Sequence, residues 1–487
     1  MKTKVSYFFV ALFFSLSASY AQNCNCDSIF NSVKKTIENN YPGFRDKVNA
    51  TTQTDYTNWT NSSLEKISAL KTDSLCYLET KKWITFFKDK HLQLKFSSPK
   101  KVTSTKVLQS KTIEILKLPI SEIEFVNYLK SNSKKDKIEG IWKNSNYELA
   151  IKKVKTNLFY ASVLKSQNSN WAIGEVKLII EKKDNAYIGT FFSGDKNDTS
   201  NHKVKVVDNI LDFDIIYFEN KSPESKTILN LTEYEILQDQ QAPKLNFIGD
   251  DYAQFTFPNF YGNSYEQLEF LLQHNKERLA KTPYWIIDLR ENDGGDYSVG
   301  KQLLPYLYTK PIVDYNSKML ITKSNIQLWF DTYLQDYYSN LSKKEQDAFD
   351  LEIKNILANH NNELYDDKPA TSLIKYDTIM EFPKKVGILV SKNTVSSGEF
   401  FTLLARQSDK VTIYGENTGG MMDYGNLVTY KTPCKVINLK MPLNRQNWLD
   451  EGFSVDKEGV KPEIYIDLND KNSIKKIINK LKTQNHN

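Results

Sequence analysis

The chain has 487 residues, of which 65 are Lys or Arg and 59 are Asp or Glu, for a formal charge of +6 at pH 7. Its 40% hydrophobic and 13% aromatic content is enough for real cores in two or three domains. The lysines are scattered rather than gathered into a stripe interleaved with aromatics, so a nucleic-acid partner is not expected.

In chain order, the first segment is MKTKVSYFFVALFFSLSASYAQ, where Lys2 and Lys4 precede an apolar run and Ser19 and Ala21 frame a cleavage site before Gln22. This pattern predicts a signal peptide over residues 1–21 and an exported mature chain. No later stretch offers the roughly 20 apolar residues of a membrane-spanning helix, so no membrane span is expected. Export permits disulfides among Cys24, Cys26, Cys76 and Cys434, and the spacing predicts one or two structural bridges near the N-terminus rather than a metal site.

Residues 22–100 read as a helical module, with Ile29, Phe30, Val33 and Ile37 at helical spacing, and Leu64, Ile67 and Leu70 likewise. The pattern changes to alternation within FFKDKHLQLKF. A linker over 101–136 leads to short alternating apolar segments in 137–240, separated by polar turns, which predicts an antiparallel barrel or sandwich of six to eight strands. Its Trp142, Tyr160, Trp171 and Tyr187 fit a core better than a ligand site.

From 249 to 470 strand-like and helix-like segments alternate, which implies βαβ units around a largely parallel sheet. Ser264 and Gln267 have capping-box spacing before a helix. A mostly helical, charged insert occupies about 311–383, and a C-terminal helix and tail fill 471–487.

Two turns at strand ends carry chemical potential. In VGILVSKNTVSSGEFFTLLARQ, the strand Val386 to Val390 is followed by a turn and a helix, so Ser396 or Ser397 stands at a helix N-terminus, whose free N–H groups stabilise developing negative charge. An N-cap serine satisfies the same pattern. In YWIIDLRENDGGD, Gly294 and Gly295 follow a strand and allow a sharp turn and close approach of the backbone to a ligand. Both turns lie beyond strand C-termini, where open parallel sheets bind ligands. A serine nucleophile needs a base. Of His91, His202, His274, His360 and His486, His91 is the best candidate by elimination, because the others lie in polar turns, on exposed-looking helices or in the tail.

Together these segments resemble the serine peptidase family that includes the C-terminal-processing (tail-specific) proteases, the tricorn core protease and the interphotoreceptor retinoid-binding protein repeats. IIDLRENDGGD is similar to the family's Asp-Leu-Arg-x-Asn-Gly turn, NTVSSGEFF to its Thr-Ala-Ser-Ala-Ser-Glu nucleophile segment, and VTIYGENTGG to the Gly-Glu-x-Thr-x-Gly loop that follows. KDKHLQL resembles its Asp-Gly-His-Thr element and VDKEGVKPEI its closing element. The resemblance implies an α/β fold with a ClpP/crotonase-like core, to which this chain adds the N-terminal helical module and the inserted all-β module. It places the nucleophile on Ser396 and one oxyanion donor on the Ser397 amide, with Gly294 or Gly295 as the second.

The tail-specific general-base Lys, 25 residues after the serine, is replaced by Met421. The tricorn-like arrangement then implies His91 as base and Asp456 as the acid that orients it, directly or through a bridging hydroxyl. No PDZ-like segment is recognisable, so general peptide hydrolysis is expected rather than capture of free C-termini. The resemblance implies a peptide or unfolded-protein substrate and no cofactor. A non-catalytic binding protein for an apolar, peptide or glycan ligand is the alternative.

Overall fold

The structure, a computed structural model, describes residues 25–96, 114–184, 186–223, 229–434, 436–470 and 472–483. The predicted signal peptide and Cys24 lie outside these residues. Two compact units are present. The first combines residues 1–100, 310–375 and 417–461, and the second 101–309, 376–416 and 462–487.

In the first unit the helix Cys26–Asn40 is capped by the Asn25 side chain, which accepts from the Ser28 N–H, and buries Ile29, Phe30, Val33 and Ile37. Phe30 meets Trp83 of the helix Asp73–Ile84 edge-on, with ring centroids 5.0 Å apart. A short 3-10 turn, Thr85–Phe87, then delivers the chain into the strand Gln93–Phe96. That strand pairs antiparallel with the long strand Ile437–Gln446, against which Tyr424–Lys431 and Ser317–Leu320 also pair.

The insert is less purely helical than its sequence suggests. Its helices Lys323–Trp329 and Lys343–His360 are flanked by the strands Ile312–Tyr315, Ser317–Leu320, Leu364–Tyr365 and Thr371–Ile374. Strands of two to four residues are too short for a period of two to register in the sequence. Cys26 and Cys76 are buried free thiols, and Cys434 is disulfide-bonded.

The second unit contains an antiparallel closed barrel of eight strands, from Gly140–Lys143 to Tyr217–Ser222, closed where Ile141 pairs with Ser222. Closure removes both sheet edges. Trp142, Trp171 and Tyr187 are buried in its core, as the composition suggested. The buried Lys177 ammonium donates to the Phe192 carbonyl and lies 4.1 Å from the centre of the Trp171 ring, and burial pushes its pKa down to about 8.

The same unit carries a six-stranded sheet in the order Lys244–Ile248, Tyr252–Thr256, Tyr284–Asp288, Lys385–Val390, Val411–Gly415, Ile464–Tyr465. The first pair is antiparallel and the other four are parallel. Its inner strands are apolar on both faces, as covered parallel sheets require. The mixed α/β fold with N-terminal helices and an inserted barrel is therefore the expected one. One local detail differs. Ser264 opens its helix instead of capping it, and its hydroxyl donates to the Tyr261 carbonyl.

Ile388 is fully buried in the strand that leads to Ser396. Ile388→Ala should cost about 2–5 kcal/mol of stability by lost burial and a residual cavity. Denaturant titration of the purified variant checks this.

Candidate active site

The proposed site residues fall into two groups, one in each unit. In the second unit Tyr284–Asp288 and Lys385–Val390 run parallel, with Asp288 opposite Leu389, so the chain leaves both strands at the same end of the sheet. The two turns beyond them are fastened together. Thr394 Oγ1 donates to the Leu289 carbonyl at 2.7 Å, Ser391 Oγ to the Arg290 carbonyl at 2.5 Å, and the Val395 N–H to the Asn292 carbonyl at 3.0 Å.

Ser396 follows directly, at the N-cap of the helix Ser397–Ala405, with φ +54° and ψ −123°. A positive φ is a strained conformation for a residue with a Cβ, and it persists only where the surroundings enforce it. Here the Ser396 N–H donates at 3.0 Å to the fully buried Glu399 carboxylate, which holds the first helical turn against the strained residue. The Ser396 side chain stays half-buried.

The two glycines have different duties. The Gly294 N–H donates to Asn292 Oδ1 at 3.1 Å and is already used. Gly295, at φ +130°, packs so closely on the neighbouring chain that a Cβ would come within 2.3 Å of the Phe260 carbonyl carbon. No acceptor among the described residues takes the Gly295 N–H or the Ser397 N–H. The Ser397 hydroxyl donates to the Gly295 carbonyl at 2.6 Å, which links the two residues carrying these free donors.

In the first unit His91 follows the 3-10 turn and is 2% exposed. Its backbone N–H donates to Asp89 Oδ1 at 2.7 Å, and the other Asp89 oxygen accepts from the Tyr41 hydroxyl at 2.8 Å. Burial pushes the His91 pKa down, with Lys440 adding to the effect. Asp89 and the backbone of Tyr424 oppose this. The ring is thus held toward its neutral form, in which one nitrogen can accept a proton. His91 Nδ1 is buried without a hydrogen-bond partner.

Asp456 lies in the short helix Val455–Glu458 of the same unit. Its Oδ1 accepts from the Met422 and Asp423 N–H groups at 2.7 and 2.9 Å, and its Oδ2 is buried without a partner. Burial, with Asp423 and Asp89 adding repulsion, pushes its pKa up to about 8. Asp423 itself accepts from Trp448 Nε1, the Val455 N–H and the Ser454 hydroxyl.

The structure thus groups Ser396, Ser397, Gly294 and Gly295 in one unit, and His91 and Asp456 in the other. Sequence reasoning matched Glu399 and Asn292 to motif positions without giving either a role, and it passed over Asp89. The Asp-x-His spacing of KDKHL was the available signal for Asp89. Among the described residues no cluster of metal-ligating side chains occurs, and no helix is long and apolar enough to cross a membrane.

Asp456 stays protonated in the fold up to about pH 8 but ionises above about 3.8 when unfolded. The folded state therefore binds more protons in that window, and stability falls as pH rises through it. Asp456→Asn should remove this dependence, so the stability gain of the variant over the parent grows between pH 4 and 8. Thermal unfolding across that range measures it.

Residues 251–466 match the description of peptidase family S41. No curated protein matches the chain. Among solved structures, mature CPAF in complex with lactacystin is 13% identical with a TM-score of 0.48, over 94% of this chain and 99% of that one. A photosystem II D1 C-terminal processing protease is 11% identical with a TM-score of 0.36, over 91% and 94%. The tricorn protease is 10% identical with a TM-score of 0.39, over 94% of this chain and 37% of that one.

Proposed function

We propose that this chain, a serine-type peptidase of family S41 by its residues 251–466, hydrolyses peptide bonds through an acyl-enzyme formed on Ser396. The observation that carries the assignment is the strained backbone of Ser396 at the mouth of a helix, beside two backbone N–H groups with no internal acceptor. A nucleophile on a sharp strand-to-helix turn is displayed to substrate, and free N–H groups at that turn suit an oxyanion.

In the proposed reaction the Ser396 hydroxyl oxygen attacks the scissile carbonyl while His91 accepts its proton. The tetrahedral oxyanion is stabilised by the Ser397 and Gly295 N–H groups, each such donor contributing about 10²–10³ in rate. Protonated His91 then returns the proton to the leaving amine, and the acyl group stays on Ser396 until water, activated by the same imidazole, releases it. Asp456 orients His91. Burial keeps the imidazole neutral between turnovers, which is the state a base must start from. No step uses a metal or an organic cofactor.

Export of the mature chain belongs to the same reading, supported by the sequence of residues 1–21. Expression in a secreting host should yield a protein whose intact mass starts at Gln22. A mass that retains residues 1–21 after export refutes cleavage there.

A serine-reactive fluorophosphonate separates this reading from a non-catalytic binding protein. The parent should label, Ser396→Ala should not, and Ser397→Ala should label, since it keeps its backbone N–H. A folded parent that stays unlabelled sinks the assignment.

A further inference from the structure

We propose that the backbone of Phe260 is a latch on the Gly294–Gly295 peptide, fixing it so that the Gly295 N–H is held out as an oxyanion donor, and that Asn259 is the positioning residue that holds the latch. This rests on the reading of Ser396 as nucleophile and of the Gly295 N–H as oxyanion donor.

Two peptide units flank Gly295 and carry four polar groups between them. The Gly294 carbonyl accepts from the Phe260 N–H at 2.7 Å, and the Asp296 N–H donates to the Phe260 carbonyl at 2.8 Å. The Gly295 carbonyl accepts from the Ser397 hydroxyl at 2.6 Å. The fourth group, the Gly295 N–H, has no acceptor among the described residues. In a planar trans peptide the C=O and the N–H point in opposite directions. The bond from Phe260 to the Gly294 oxygen therefore turns the Gly295 N–H to the far side of the chain. It also polarises the peptide, which strengthens that N–H as a donor.

The residue types make a latch necessary. Gly294 and Gly295 have φ of +92° and +130°, and without a Cβ neither resists rotation of the peptide between them. With that peptide turned over, the N–H would face Phe260 and the Gly294 carbonyl would take its place, repelling an oxyanion. The peptide adjoins the nucleophile, since a Cβ on Gly294 would come within 2.8 Å of the Ser396 Cβ.

Phe260 is itself held on both sides. Before it, the Phe257 N–H donates to the Asp288 carbonyl at 3.0 Å, and the Phe257 carbonyl accepts from Asn292 Nδ2 at 3.3 Å. The Phe260 ring is 1% exposed and meets that of Phe257 edge-on, with centroids 5.4 Å apart. Asn259, 6% exposed, uses both ends of its amide. Its Oδ1 accepts from the Tyr261 N–H at 2.9 Å, and its Nδ2 donates to Gln241 Oε1 at 2.7 Å. One side chain thus ties the backbone around Phe260 to a segment outside the turn.

The test uses the full-length protein, deuterated, with glycine isotope-labelled at its carbonyl carbon and amide nitrogen. Glycine follows glycine at Gly294–Gly295 and Gly419–Gly420 alone, so a carbonyl-selected amide NMR spectrum holds two resonances. Gly419→Ala removes one of them and so identifies that of Gly295. Phe260→Pro deletes the latch N–H and keeps the carbonyl, whereas Phe260→Ala loses the ring and keeps the N–H. The parent and Phe260→Ala should each show one sharp Gly295 resonance. Phe260→Pro and Asn259→Ala should show it doubled or broadened, as the peptide samples two orientations. In these two variants the rate constant of fluorophosphonate labelling should fall about 10-fold or more, toward the loss of a whole oxyanion donor. With peptide substrates kcat should fall while KM holds, as for an interaction made only in the transition state. A purely structural role would reduce the amount of folded protein and the extent of labelling, but not the rate constant of the folded fraction.

If Phe260→Pro does not fold, Asn259→Ala carries the test. An unmoved, single Gly295 resonance with an unchanged labelling rate in that variant overturns the proposal. It is equally overturned if Phe260→Ala slows labelling as much as Phe260→Pro, since the ring and not the N–H would then be at work. If the folded parent does not label, the peptidase reading fails, while the Gly295 resonance still decides whether Phe260 fixes the peptide.

Discussion

The parallel pairing of Tyr284–Asp288 with Lys385–Val390 governs the placing of the turns that carry Gly294, Gly295 and Ser396. With Asp288 opposite Leu389, the segments beyond both strands must turn at the same level. The Leu289 N–H extends the ladder to the Leu389 carbonyl at 2.9 Å, and the Leu289 carbonyl then accepts from Thr394 Oγ1. Each turn is thereby built on the other. Asn292 completes the link, because its carbonyl accepts from Val395 while its side chain engages Gly294 and packs where a Cβ on Gly398 would intrude at 2.6 Å. A strained serine is tolerated there because so many hydrogen bonds would have to break to relax it.

The surroundings of His91 depend on a different constraint, the burial of charge. Arg445 is 7% exposed and bonds both oxygens of Asp46, with a third bond to Asp450. Asp46 also accepts from the Tyr424 hydroxyl, and the Tyr424 ring lies 5.3 Å from that of Tyr41, whose hydroxyl reaches Asp89. Two back-to-back tyrosines thus separate a salt-bridged aspartate from the aspartate beside His91. The buried Arg445 guanidinium is thus paired with two carboxylates, as the desolvation cost of an unpaired charge demands. His91 Nδ1 and Asp456 Oδ2 are among the buried polar atoms of this unit that lack a hydrogen-bond partner.

The barrel answers to packing rather than to chemistry. Eight strands close with an interior filled by side chains, so Trp142, Trp171 and Tyr187 are bound up in its own core, while Tyr160 is half-buried. Trp171 Nε1 donates to the Gly194 carbonyl and Trp142 Nε1 to the Ile138 carbonyl, which meets the polar needs of both rings internally. The barrel is a closed unit without strand edges. A peptide cannot add to it as an extra strand.

The sequence by itself determined the class of architecture, because period-two and period-3.6 patterns follow directly from which side chains face a core. Ile29, Phe30, Val33 and Ile37 marked one helix, and the alternation from residue 137 onward marked the barrel strands. It also marked the two turns, since Gly294–Gly295 and Ser396–Ser397 are residue types that sharp turns and helix starts require. It did not disclose the short strands of the insert, which pair only because distant partners such as Ile437–Gln446 accept them. Nor could it assign donors and protons. That Gly294 has spent its N–H while Gly295 has not, that Asp89 accepts on both oxygens, and that Asp456 is pushed toward neutrality all arise from hydrogen bonds between residues far apart in the chain. Local pattern decides which face a side chain presents. The charge and hydrogen-bonding state of a buried group depends on what surrounds it, and only the tertiary structure supplies those neighbours.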